Sequence, residues 1–277
     1  MKANRVERSG HRGAYTVIAL VALGAITASV LLGYEKLHSL WLEQCVVNDM
    51  NEQVEIVAGT MVKADVIAGE FGLKNGANLA LIDFDERRKA ILEKIPNLKA
   101  VSIARRMPDK VTIVTEERVP IARMNIHGSR QISGRVVDSE GVVFMCQRGT
   151  RLLPVVREPI APGTQPGHKL TGRVRAALEL VETCRDGEFQ ELGILEVDSS
   201  SPDYLLATLG TNYCKLKIAW EGMDLESTPA SRTSLKRQLK HLVQAMRSKI
   251  GEDAVVWNAT DFSKPGRIYA DTKGKLK

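Results

Sequence analysis

Aromatic residues are scarce in this sequence. Phe, Trp and Tyr make up 5% of its 277 positions, so its cores must rest on Val, Ile, Leu and Ala. Cysteine is also sparse: Cys45, Cys146, Cys184 and Cys214 are widely spaced, and no C-x-x-C pair occurs. That excludes a zinc ribbon and a thioredoxin-type redox motif. The five histidines, His11, His38, His127, His168 and His241, are isolated, with no H-E-x-x-H and no clustered metal-ligand spacing. The sequence lacks a G-x-S-x-G elbow, an S-x-x-K pair, a phosphate-binding loop and a dinucleotide fingerprint. Blocks of Lys and Arg with interleaved aromatics are missing as well. The net charge of +6 is a mild excess, well short of a nucleic-acid-binding composition.

What is present is the balance of a folded protein, 44% hydrophobic and 26% charged. One segment stands apart. Ala14 to Leu32 contains no charge, and at about 1.5 Å per residue it spans roughly 28 Å, close to a hydrocarbon core of about 30 Å. Tyr15, Tyr34 and Trp41 flank it, where amphipathic rings prefer the interface. Lys2, Arg5, Arg8 and Arg12 precede it against Glu7 alone, while Glu35, Lys36, Glu43, Asp49 and Glu52 follow. The excess of positive charge places the N-terminus in the cytoplasm and the rest outside. A cleaved signal peptide would have a shorter apolar run ending in an A-x-A-like site, whereas here the run continues into Val30, Leu31 and Leu32. The expected order is a cytoplasmic tail (1–13), a transmembrane helix (14–34) and a spacer (35–51), followed by two folded units.

The first unit covers 52–118. Val54 to Val57 reads as a strand, Val62 to Phe71 as a helix stopped by Gly72, and Asp83 as the cap of a helix that ends before Pro96. Leu98–Arg106 and Lys110–Glu116 alternate on either side of Met107-Pro108-Asp109, the pattern of a hairpin. The order β-α-α-β-β makes a compact α+β unit. Residues 119–271 form the second unit, mainly antiparallel β with flanking helices. Strands are expected at Arg135–Asp138, Val142–Met145, Leu152–Val156, Leu192–Val197, Tyr204–Leu209, Lys215–Trp220, Val255–Phe262 and Arg267–Ala270. Helices are expected at Leu170–Arg185, with Val174, Leu178 and Val181 as a stripe, and at Ser231–Ile250. Glu116 to Ala122 reads as an extended joint. The tail 272–277 is polar and expected to be flexible.

Candidate chemistry is thin. Glu116-Glu117 and Asp83-Asp85 read better as a charged strand end and a helix cap than as acid–base pairs. Outside the cytoplasm the four cysteines could pair, but unpaired buried thiols fit equally well, and no connectivity follows from sequence. Asn258-Ala259-Thr260 is a glycosylation sequon too short to carry weight.

The order of several motifs resembles the FtsQ/DivIB family of bacterial cell division proteins. The resemblance starts with Val54-Glu55-Ile56-Val57-Ala58-Gly59, Gly76-Ala77-Asn78-Leu79 and Ile82-Asp83. It continues through Ile95-Pro96-Asn97-Leu98 and Pro108 to Glu117-Arg118-Val119-Pro120-Ile121-Ala122. Val137-Asp138, Gly141 to Phe144, Leu153-Pro154, Thr260-Asp261-Phe262 and Pro265 to Tyr269 complete it. Ser263 and Arg157 depart from the family pattern. The resemblance implies a POTRA domain followed by a β-domain and no enzymatic activity, cofactor, metal or small-molecule substrate. It implies a single-pass inner-membrane scaffold at the division septum, linking cytoplasmic and extracytoplasmic division proteins. Its β-domain would bind the partners FtsB and FtsL, with Phe262, Lys264, Gly266, Arg267, Ile268 and Tyr269 at the binding edge. The alternatives are an anchored cell-wall enzyme and a POTRA-containing secretion or assembly factor.

The charge asymmetry around Ala14–Leu32 predicts that an alkaline phosphatase fused to the C-terminus is active in cells. A mature chain starting after about residue 25 would instead establish a cleaved signal.

Overall fold

The computed structural model describes residues 10–129, 133–159, 164–185, 187–225, 227–248, 254–264 and 267–272. Most of the expected cytoplasmic tail, the final residues of the expected C-terminal tail, and Pro265-Gly266 lie outside them. Helix α1 runs unbroken from Gly10 to Gln44. Among the described residues it is the one helix long and apolar enough to cross a membrane. It also absorbs much of the expected spacer. Its end is stitched to the chain that follows: the Asn78 side-chain amide donates to Leu42 O at 2.8 Å, satisfying one of the carbonyls a helix terminus leaves open. Leu79 N donates to Cys45 O, and Val47 N to Ala77 O.

The chain divides into two compact units. One holds residues up to Ala58, Lys63–Arg88 and Ser102–Val114; the other holds Gly59–Val62, Lys89–Val101 and everything from Thr115 onward. After the short helix α2 (Met50–Gln53) come strand β1 (Val54–Val57), helices α3 (Ala64–Phe71) and α4 (Phe84–Lys94), and strands β2 (Leu98–Arg106) and β3 (Lys110–Glu117). The three strands form a sheet in the order β1-β3-β2, with β1 parallel to β3. Local signals act as expected. Gly72 ends α3 with φ 71°, and its N–H returns to Ala68 O and Gly69 O. The Asp83 carboxylate accepts from the N–H groups of Asp85 and Glu86 at the start of α4. In the first unit Ile67, Phe71, Leu79, Phe84, Val111 and Ile113 are buried.

The second unit is built on a nine-stranded sheet. Its strands are β4 (Ala122–Ile126), β5 (Arg135–Val137), β6 (Val143–Met145), β7 (Val155–Glu158), β8 (Ile194–Asp198), β9 (Leu205–Leu209), β10 (Lys215–Ile218), β11 (Val256–Ala259) and β12 (Tyr269–Asp271). They lie in the order β12-β11-β10-β9-β8-β7-β4-β5-β6. Five of the eight pairings are antiparallel. The parallel ones are β4–β7, β7–β8 and β10–β11. Parallel neighbours need a long crossover, and helices α5 (Gly172–Arg185) and α6 (Pro229–Met246) lie in two of the three connections. The core gathers Leu178, Val181, Leu235, Leu239 and Leu242 from these helices with Val156, Val197, Leu205 and Leu216 from the sheet. Its polar members are partnered: Trp220 Nε1 donates to Ser231 Oγ at 2.9 Å and Gln238 Nε2 to Ala259 O at 3.1 Å.

Two carboxylates organise the chain around the end of β3. Glu117 accepts from the backbone N–H groups of Thr60, Met61 and Val62 at 2.7–2.9 Å. It occupies the space where a Cβ on Gly59 would stand, 2.1 Å from Glu117 Cδ, which explains glycine there. Arg118, whose side chain is 13% exposed, places Nη1 2.5 Å from Asp138 Oδ2 and 3.1 Å from Glu140 Oε2. Its Nε donates to Pro96 O and its backbone N–H to Asn97 O. Asp138, 5% exposed at its side chain, also accepts from Val142 N, and Gly141 supplies the left-handed turn (φ 83°) between β5 and β6.

Arg118→Ala should destabilise this unit by about 3 kcal/mol, because it leaves the Asp138 charge buried without its partner. Replacing both residues by apolar ones should cost less than the two single changes added together. A double-mutant cycle in urea checks this, and a coupling near zero would contradict it.

Candidate partner-binding edge

The nine-stranded sheet has two outer strands, β6 and β12, and they are treated differently. Beside β6, Gly167 N donates to Val143 O at 2.7 Å, Val143 N to His168 O at 3.0 Å, and Val142 bridges Lys169. A passing segment therefore covers that side. At the other end β12 pairs with β11, Trp257 opposite Ala270 and Asn258 opposite Tyr269. No described strand follows beyond it. Backbone N–H and C=O groups along such an edge form a ready template for an added strand.

Five of the six sequence-predicted residues lie in or beside the β11–β12 connection. Phe262, 43% exposed, follows β11, with Lys264 exposed after it. Arg267 is exposed and its N–H closes a turn onto Lys264 O. Ile268 is half-buried and packs on the core, so it has a structural task besides any role at the edge. Tyr269, 57% exposed, opens β12. Gly266 lies outside the described residues. The connection carries a local electrostatic anchor. The Ser263 hydroxyl donates to Asp261 Oδ1 at 2.7 Å and holds that carboxyl below its ordinary value, with Lys264 and Arg267 adding to the effect. Ser263 is thus a working member of this turn despite its departure from the family pattern.

Sequence reasoning missed two residues of the same row. Asn258 lies opposite Tyr269, and Lys217 lies opposite Asn258 across β10–β11. Lys217 Nζ sits 5.0 Å from the centre of the Tyr204 ring. The alternation Lys215-Leu216-Lys217-Ile218 was the available signal, since period two puts both lysines on the face opposite Leu216. The structure also joins His127 Nδ1 to Asp198 Oδ2 at 2.5 Å, a contact between residues 71 apart that no motif announced. Among the described residues no group of three His, Cys, Asp or Glu could hold a metal ion.

The described residues thus form one apolar N-terminal helix, a small β-α-α-β-β unit and a large mixed sheet in which no described strand lies beyond β12, the architecture of POTRA-bearing proteins. Residues 51–118 match the family model described as "POTRA domain, FtsQ-type". The chain is similar to "Cell division protein FtsQ" of Koribacter versatilis (strain Ellin345), 26% identical over 165 residues. That match covers 58% of this chain and 46% of the relative, so less than half of that protein's length is spanned. Residues 51–118 thus form a POTRA domain of the FtsQ type, and the chain is similar to FtsQ cell division proteins.

All four cysteines are free thiols. Cys184 is buried in α5, and desolvation pushes its thiol up to about 12. Maleimide labelling of the folded protein near pH 7.5 should therefore modify half-buried Cys146 first and leave Cys184 unmodified until denaturant is added. Mass spectrometry of the peptides reads the order, and early labelling of Cys184 would contradict its burial.

Proposed function

We propose that this chain is a single-pass, non-enzymatic scaffold of the bacterial division machinery, N-terminus inside, which captures extracytoplasmic partners by strand addition to β12. The observation that carries this reading is the asymmetry of the sheet: β6 is covered by the 167–169 segment, whereas no described strand pairs with β12 on its outer side. The likeness to FtsQ proteins supplies the setting, and a scaffold bound through backbone groups needs no catalytic constellation. By the same resemblance the partners are proteins of the FtsB and FtsL type, met by Phe262, Lys264, Gly266, Arg267, Ile268 and Tyr269. Septal placement belongs to the same proposal.

Strand addition depends on the edge backbone, so the decisive change removes a donor. Ile268→Pro should abolish co-purification with an FtsB–FtsL pair. Tyr269→Ala and Lys264→Glu should weaken it by about 1–2 kcal/mol each, the scale of ordinary interface truncations. Thermal melts run beside the binding assay separate edge from core. Variants that melt normally and bind fully would place the interface elsewhere.

A further inference from the structure

A cavity of about 280 Å³ opens on the second unit where β4, β5 and the start of β7 meet the 146–151 turn. That is just under the roughly 300–1,000 Å³ of drug-sized sites, and it suits a small ligand. Four strands, β8 to β11, separate β7 from β12, so this is not the partner edge. Arg123, Arg135 and Arg151 line it, and among the described lining residues there is no Asp or Glu.

The three arginines differ in their obligations. Arg135 is already neutralised: its Nη1 is 2.5 Å from Oε1 of buried Glu158 and donates to Thr164 O. Arg123 donates through Nε to Leu153 O at 3.1 Å, which fixes a half-buried guanidinium at the cavity wall without cancelling its charge. Arg151 is exposed, and among the described residues neither it nor Arg123 forms an ion pair. Gln147 contributes a primary amide to the same lining. By contrast, the cavity lined by Glu179, Glu182 and Glu188 also holds Arg232 and Lys236, and so carries its own counter-charges.

Two guanidinium groups without ion-pair partners among the described residues line the same concave surface, and together they raise the positive potential there. Their planar forks match the paired oxygens of a carboxylate or a phosphate. The cost of ordering Arg123 is already met by its bond to the backbone, which favours binding. We propose that this cavity is an anion-binding site for a small carboxylate- or phosphate-bearing ligand, with Arg123 and Arg151 holding the charged group and Gln147 bonding the rest.

The test uses the full chain in non-ionic detergent. Citrate and inorganic phosphate are titrated against chloride at constant ionic strength, and the melting temperature and heat of binding are followed. Either anion should raise the melting temperature saturably beyond chloride. Citrate alone would point to a carboxylate source, phosphate alone to a phosphate ester. The Arg123→Gln/Arg151→Gln variant should weaken binding at least tenfold, while Lys264→Glu, at the distant edge, should not. If the double variant melts low without any anion, Arg151→Gln alone decides, because that side chain is exposed; it should weaken binding with unchanged melting. The proposal falls if neither anion exceeds chloride, or if the deciding variant keeps wild-type affinity.

Discussion

The buried contact between Arg118 and Asp138 is the constraint on which the second unit depends. A guanidinium taken out of water must find partners for its donors, and here they come from three places: Asp138 and Glu140 on one hairpin, and the carbonyl of Pro96. Lys99 strengthens the same corner, with Nζ 2.9 Å from Glu116 and 3.9 Å from Glu140. Asn97 contributes a side-chain bond to Met145 O. Because every member needs another, the ends of β2 and β3 pack as part of the second unit, and the compact units do not divide at the segment from Glu116 to Ala122.

Much of the fold was legible because its signals are local. The Gly72 stop, the Asp83 cap and the alternation on both sides of Met107-Pro108-Asp109 each depend on a few neighbouring residues. The apolar stripe of α6 likewise declared itself through Leu235, Leu239 and Leu242. Strand β4 was not legible. It is five residues long, and only its first residue, Ala122, falls within the joint expected from sequence, which assigns no element to Arg123–Ile126. Its place between β7 and β5 comes from pairing with Val155–Glu158, some thirty residues away, and no local pattern encodes that partner. The neighbouring strand begins later than the Leu152 start expected from sequence, for a related reason. Leu152 looks like a strand residue but is almost wholly exposed, and pairing begins only at Val155.

The candidate edge was legible through resemblance more than through physics. Nothing in Thr260 to Tyr269 alone distinguishes an edge from a central hairpin. What makes β12 an edge is its position in the strand order, a property of the whole sheet. The arginine cavity was invisible for the same reason: Arg123, Arg135 and Arg151 stand on three different segments and share no motif spacing.

The capped end of α1 has a mechanical consequence. Asn78 closes the last turn and Cys45 and Val47 bond directly to the 76–79 segment, so the helix enters its unit with no slack between them. A loose tether would let that unit swivel freely beneath its membrane attachment. A seamless junction instead transmits torque, so that a rotation of the helix within the bilayer turns the unit it carries. Any neighbour that grips the helix in the lipid thereby sets the direction in which this unit faces.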